Sequence, residues 1–93
     1  ALTLVWARDL SHHGIRVNAV APGFMDTPMV ASLPPGFVDE LIAGNEFPKR
    51  AGTADEYGAV AEFLIRTSLI NGEIVRLDAG ARPPARTKWA SGA

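Results

Sequence analysis

The chain has 93 residues, 47% of them hydrophobic, which allows one small core and falls short of a complete doubly wound nucleotide-binding domain. Nine Lys and Arg against ten Asp and Glu give a formal charge of −1, so no overall field favours nucleic acid or an anionic membrane surface. The absence of cysteine excludes disulfides, zinc–thiolate sites and thiol nucleophiles and fits a cytoplasmic protein, and no apolar run approaches the ~18 residues of a membrane span.

In chain order, Leu2, Leu4, Val5, Trp6, Ala7 and Leu10 cover most of a helical circumference, which predicts a helix buried on more than one side. This pattern starts at Ala1 with no initiator methionine, and we expect the sequence to be part of a longer chain. Gly14, after His12 and His13, supplies a left-handed helix terminus. Residues 15–21 alternate through Ile15, Val17 and Ala19 and finish apolar at Val20 and Ala21, the pattern of a strand entering a core. Pro22 and Gly23 end it, since proline donates nothing to a ladder and glycine permits a sharp change of direction.

Asp26 or Thr27 then reads as a helix cap, with Pro28 at the first helical position. The run Ser32, Leu33, Pro34, Pro35, Gly36 interrupts the short helix, and Phe37, Val38, Leu41 and Ile42 form a second apolar stripe ending near Gly44 and Asn45. Residues 46–52 have no period and read as a loop. Thr53 and Glu56 form a capping box, followed by Tyr57, Val60, Ala61 and Leu64 at i, i+3, i+4 and i+7, so a helix runs to about Thr67. Asn71 and Gly72 turn the chain into a second strand at 73–78 with Ile74, Val75 and Leu77 buried. Residues 83–93 read as an irregular tail, a solvated extension or subunit contact; the last twelve residues hold Arg82, Arg86 and Lys88 with no acid and leave about −4 for the remainder. Two strands separated by about fifty mainly helical residues pair in parallel through a helical crossover, giving an α/β class. Two strands alone leave open sheet edges, so further strands must come from elsewhere.

Several residue pairs look chemical and have plainer readings. Adjacent His12 and His13 diverge by about a hundred degrees on a helix and read as a surface pair, not a metal site. Asp39–Glu40 and Asp55–Glu56 fall in the first part of their helices, where the helix dipole favours negative charge. Trp6 and Trp89 read as packing.

The ordered set Ala7-Arg8-Asp9-Leu10, residues 14–23 (Gly-Ile-Arg-Val-Asn-Ala-Val-Ala-Pro-Gly), Thr27-Pro28-Met29, Phe47-Pro48 with Arg50-Ala51-Gly52, Asn71-Gly72-Glu73 and Arg76-Leu77-Asp78 resembles the short-chain dehydrogenase/reductase family. The wording at Ser32-Leu33-Pro34, Asp55-Glu56-Tyr57 and residues 69–78 resembles its type-2 3-hydroxyacyl-CoA dehydrogenase branch, also described as 17β-hydroxysteroid dehydrogenase type 10. The resemblance implies that residues 1–82 are the carboxyl-terminal portion of one Rossmann-type, doubly wound parallel sheet, its last two strands and flanking helices, with a substrate lid at about 26–47. It also implies that Pro22, Gly23 and Phe24 line the nicotinamide face of NAD, with NADP left open because the selecting residue lies outside the chain. The Met25 backbone would bind the carboxamide, and the Thr27 hydroxyl the carboxamide or adjoining phosphate. Met29, Val30, Leu33, Phe37 and Leu41 would offer an apolar wall to an acyl-CoA or sterol-like substrate.

The family's catalytic serine, tyrosine and lysine have no counterpart here. Tyr57 is followed four positions later by Ala61, not lysine, so no residue is assigned a catalytic role. No glycine-rich phosphate turn is present either. Where the family often has Asp-Gly after its last strand, Asp78 is followed by Ala79, from which we expect a backbone that avoids positive φ there. The resemblance further implies a homotetramer, and the charge balance with the lack of a membrane-length apolar run leads us to expect no nucleic-acid or membrane partner. Two rival functions stand beside a 3-hydroxyacyl-CoA dehydrogenase: a 3-ketoacyl-acyl-carrier-protein reductase, and a truncated non-catalytic module pairing with an intact subunit.

Overall fold

The computed structural model describes residues 2–81; the expectations for Trp89 and the tail at 83–93 lie outside them. Helix α1 (Leu2–Leu10) passes into a 3-10 turn (Ser11–His13) and is ended by Gly14 at φ 73°, the left-handed terminus read from the sequence. Strand β1 (Ala19–Pro22) follows, then a 3-10 turn (Pro28–Ser32), α2 (Pro35–Ala43), α3 (Ala54–Arg66) and β2 (Ile74–Leu77). The two strands pair in parallel, Ala19 opposite Ile74 and Pro22 opposite Leu77. The expected α/β topology is therefore present.

Strand β1 starts four residues later than the alternation suggested. Residues 16–18 are held in place of a ladder by side-chain bonds and by one backbone bond, Gly72 N–H to Val17 O at 2.9 Å. Val17 N–H donates to Asn71 Oδ1 at 3.0 Å, and Asn18 accepts from Glu73 N–H while donating to Ile70 O, each at 3.0 Å. Arg16 reaches further: its guanidinium donates to the carbonyls of Leu64, Ile65, Thr67 and Ile70 at 2.7–3.2 Å. Those carbonyls lie at and beyond the carboxyl end of α3, where acceptors lack intrahelical partners and the dipole is negative. One arginine thus ties the entry of β1 to the exit of α3.

At its other end α3 has the full capping box: Glu56 N–H donates to Thr53 Oγ1 at 3.2 Å and Thr53 N–H to Glu56 Oε1 at 3.0 Å. Leu64 is its buried residue, 6% exposed, which contributes about 2 kcal/mol of transfer free energy. Helix α1 sits against the turn before β2, where a Cβ on Gly72 would meet Leu4 Cδ1 at 3.1 Å and Ala7 Cβ at 3.5 Å.

The expected burial of α1 on more than one side is not observed: Ala7 is buried, but Leu2, Leu4, Val5 and Trp6 are exposed, and Ile74 on β2 is exposed as well. The physical reason is the one the strand count gave, since a two-stranded sheet has too little surface to cover them. Three local readings also change. Helix α2 starts inside the expected interruption, with Pro35 at its first position and Gly36 within it. Asp39 and Glu40 lie beyond its first turn, so solvation alone accounts for them. Ala79 adopts φ 53° despite its Cβ. There its carbonyl accepts both Glu46 N–H (2.9 Å) and Phe47 N–H (3.1 Å), and Asp78 Oδ1 accepts Gly80 N–H (3.1 Å); these bonds offset the cost of about 1 kcal/mol for a left-handed alanine.

Candidate cofactor site

The loop leaving β1 at its carboxyl end is held by two distant segments. Gly23 N–H donates to Leu77 O at 2.8 Å, which carries the ladder past Pro22. A Cβ on Gly23 would stand 2.8 Å from both Cα and Cβ of Asp78. Glycine is needed here for close approach of the two strand ends, not for the change of direction read from sequence, because its φ is not positive.

Two residues on, Gly52 N–H donates to Phe24 O at 2.9 Å and Asp26 N–H to Gly52 O at 2.8 Å. These bonds make a parallel bridge between Met25 and Gly52. In such a bridge the residues flanking Met25 are fixed while its own N–H and C=O point away from Gly52. Neither group enters any hydrogen bond among the described residues.

Thr27 stands at the amino end of the 3-10 turn without capping it through its side chain, a correction to the cap expected of Asp26 or Thr27. Its hydroxyl is exposed and uncommitted. A free amide and carbonyl at Met25 and a free hydroxyl at Thr27 suit the mixed donor–acceptor edge of a carboxamide, so the residues present fit the nicotinamide end of a dinucleotide.

The segment that pins this loop carries its own lock. Arg50 donates two hydrogen bonds to Glu56, Nη1 to Oε1 at 2.7 Å and Nη2 to Oε2 at 3.0 Å. The hydrogen bond from Arg50, then that from the Thr53 backbone, lowers the Glu56 carboxyl from 4.5 to about 2; the same pairing raises Arg50. The sequence motif around Arg50, Ala51 and Gly52 signalled the resemblance, but nothing in it showed that Gly52 grips Phe24 and Asp26. Asn45, 4% exposed, shapes the same loop by donating to the carbonyls of Pro48 (3.3 Å) and Arg50 (2.7 Å).

A cleft of ≈ 550 Å³ beside the strand ends brings Pro22, Gly23 and Phe24 together with Leu41 of α2, under a partly charged rim of Glu40 and Arg76. A second, of ≈ 250 Å³, joins Pro22, Met25 and Thr27 to Tyr57. The other expected wall residues line neither. Met29 is 80% and Phe37 47% exposed, and Val30 and Leu33 are half-buried. Among the described residues no three His, Cys, Asp or Glu side chains gather in a way that would hold a metal ion, the His12 and His13 rings lie 4.1 Å apart on the surface, and no helix is long and apolar enough to cross a membrane.

Residues 1–82 match the model of a family described as enoyl-(acyl carrier protein) reductase. The chain is 41% identical to the 3-hydroxyacyl-CoA dehydrogenase type-2 of Drosophila melanogaster over 81 residues, which covers 87% of this chain and 32% of the relative. Its identity to the human protein of the same name is also 41%, covering 87% of the chain and 31% of the relative. A 3-oxoacyl-[acyl-carrier-protein] reductase of Thermotoga maritima is 36% identical, covering 85% of this chain and 32% of that one. Among solved structures, a 3-hydroxyacyl-CoA dehydrogenase type-2 from Mycobacterium avium superposes with a TM-score of 0.83 at 46% identity, over 91% of this chain and 33% of that one. The chain thus spans about a third of the length of the relatives it matches.

Proposed function

The chain belongs to the short-chain dehydrogenase/reductase family, and on that premise we propose that it is part of an NAD-dependent oxidoreductase interconverting a secondary alcohol and a ketone, with a 3-hydroxyacyl-CoA as the substrate. The observation that carries the reading is the Met25 peptide, held on both sides by Gly52 and left with its own N–H and C=O free at the carboxyl end of a parallel strand. Ligands of open parallel sheets bind at such ends. In this reading Pro22, Gly23 and Phe24 line the nicotinamide ring, Met25 and Thr27 orient its carboxamide, and residues 26–47 are the lid, with Leu41 facing the cofactor cleft. Bound nicotinamide supplies the hydride; this chain supplies the pose and no acid or base, since neither Tyr57 nor any other residue here is assigned the proton transfer. The same reading takes residues 1–82 as the carboxyl-terminal part of a homotetrameric, cytoplasmic enzyme whose remaining strands cover β1, β2 and α1.

The test is an amide-resolved titration of the isotope-labelled chain with NAD and with NADP at millimolar concentration. Shifts centred on Met25 and Thr27 are expected; shifts centred elsewhere would sink the assignment. Incubated with a 3-hydroxyacyl-CoA and NAD, the chain should give no turnover, and turnover proportional to its concentration would overturn the absence of catalytic groups.

The identity to the T. maritima reductase favours a second substrate, a 3-oxoacyl group on acyl carrier protein. Comparison of carrier-linked and CoA-linked substrates with the assembled enzyme separates the two. The exposed Leu2, Leu4, Val5 and Trp6 favour a third reading, a non-catalytic module that pairs with an intact subunit. Such a module should co-purify with that subunit and change its assembly.

A further inference from the structure

We propose that Glu56 is a positioning residue for the loop at 24–26, acting through Arg50, Thr53 and Gly52. The proposal rests on the reading of that loop as the cofactor site and adds to it the group that sets the loop's position. Glu56 Oε1 accepts hydrogen bonds from Arg50 Nη1 (2.7 Å), Thr53 N–H (3.0 Å) and Thr53 Oγ1 (3.2 Å), while Oε2 accepts from Arg50 Nη2 (3.0 Å). Arg50 Nη1 donates as well to Ala51 O at 3.1 Å. One carboxylate therefore ties residues 50, 51 and 53 together around Gly52.

Gly52 is the only residue of that segment bonded to the loop among the described residues, and it is bonded through both of its backbone groups, to Phe24 O and Asp26 N–H. It is also packed against the loop: a Cβ there would stand 2.7 Å from Met25 Sδ. The direction of the Gly52 peptides decides where Phe24 and Asp26 lie, and with them the free amide and carbonyl of Met25. A capping box needs only Thr53 and Glu56. The bidentate arginine is additional, and it joins the first turn of α3 to the peptide just before Gly52 with the directional geometry that a guanidinium–carboxylate pair provides.

Amide hydrogen exchange on the full chain, with no nucleotide added, tests this independently of whether the loop binds a cofactor. In Glu56→Ala the amides of Asp26 and Gly52 should exchange at least tenfold faster. Those of Ala19 and Gly23, bonded to Glu73 O and Leu77 O, should change less than twofold. Arg50→Ala leaves the capping box intact, so it should speed Asp26 and Gly52 while leaving Tyr57, which donates to Thr53 O, unchanged. Glu56→Gln keeps an acceptor for Thr53 and should restore the rate at Tyr57 but only part of that at Asp26. A purely capping role would move Tyr57 alone. That result, an unchanged Asp26 in Arg50→Ala, or an equal rise at Ala19 and Gly23 would each overturn the proposal.

Discussion

Residues 23–26 and residues 27–44 follow one another along the chain and are held in opposite ways. The first stretch is short and bonded at three of its four residues to a distant partner: Gly23 to Leu77, Phe24 and Asp26 to Gly52. The second is long and rich in large apolar side chains, yet among the described residues its hydrogen bonds stay local, Val30 to Thr27, Leu33 to Val30, Gly44 to Glu40 and Leu41, and Lys49 back to Ala43. Met29 is largely exposed and Phe37 about half exposed. Directional backbone bonds fix a loop even where little apolar area is buried, whereas an apolar helix takes a defined place only once another surface meets it.

The largest effect that would break this contrast comes from Gly23→Ala. Its Cβ would overlap the Asp78 backbone at 2.8 Å, and backbone cannot swing aside as a side-chain tip does, so the cost should be about 3 kcal/mol. Exchange at Ala19 and at position 23 should rise together by at least thirtyfold. A change under threefold would mean that the strand ends are not in the close contact described.

Arg16→Ala comes next. It removes four charge-assisted bonds to the carbonyls around the end of α3, with an expected loss of about 2 kcal/mol. The loss should be read out at Thr67 N–H and Ile70 N–H, which lie inside the cluster. Arg16→Lys should recover less than half, because a single ammonium cannot reach carbonyls spread as the guanidinium fork reaches them.

Acid provides a gentler probe of the pinned region. Glu56 is lowered from 4.5 to about 2 by Arg50 and Thr53. Its folded value lies below its unfolded one, so its contribution is complete above pH 4.5 and is lost as pH falls through about 2. Protection factors at Asp26 and Gly52 should decline across that window ahead of those at Ala19 and Gly23. A decline confined to pH above 5 would assign the effect to another group.

What the sequence disclosed follows the same division. The capping box at Thr53 and Glu56, the glycine terminus at Gly14 and the parallel pairing were legible because each depends on neighbours three or four residues apart or on the order of elements. The start of β1 was not, because residues 16–18 are satisfied by Asn71, Ile70 and Glu73, more than fifty residues away. Nor was the φ of Ala79, which answers to amides at Glu46 and Phe47. In the candidate site, the family resemblance pointed to residues 22–25 and 27, while the grip of Gly52 left only the motif at 50–52 and the bond from Arg50 to Glu56 left no mark beyond the capping box. Long-range polar contacts have no period and no fixed spacing.

The smallest expected effect concerns the proposed lid, and a null result is the informative one. Met29→Ala and Phe37→Ser should each change the stability of the chain by less than about 0.5 kcal/mol, as for surface positions generally, since Met29 is 80% and Phe37 47% exposed. If the lid instead packed on the strands of this same chain, truncating a phenylalanine would cost about 3 kcal/mol, and ladder exchange would report it. A null result in the chain alone, joined to a weakened affinity for a long-chain acyl-CoA when the same substitutions are placed in the assembled enzyme, would show that these side chains answer to substrate and not to the fold. The apolar character of residues 29–41 would then be a property of what the lid closes on, while the loop before it keeps its place with no ligand at all.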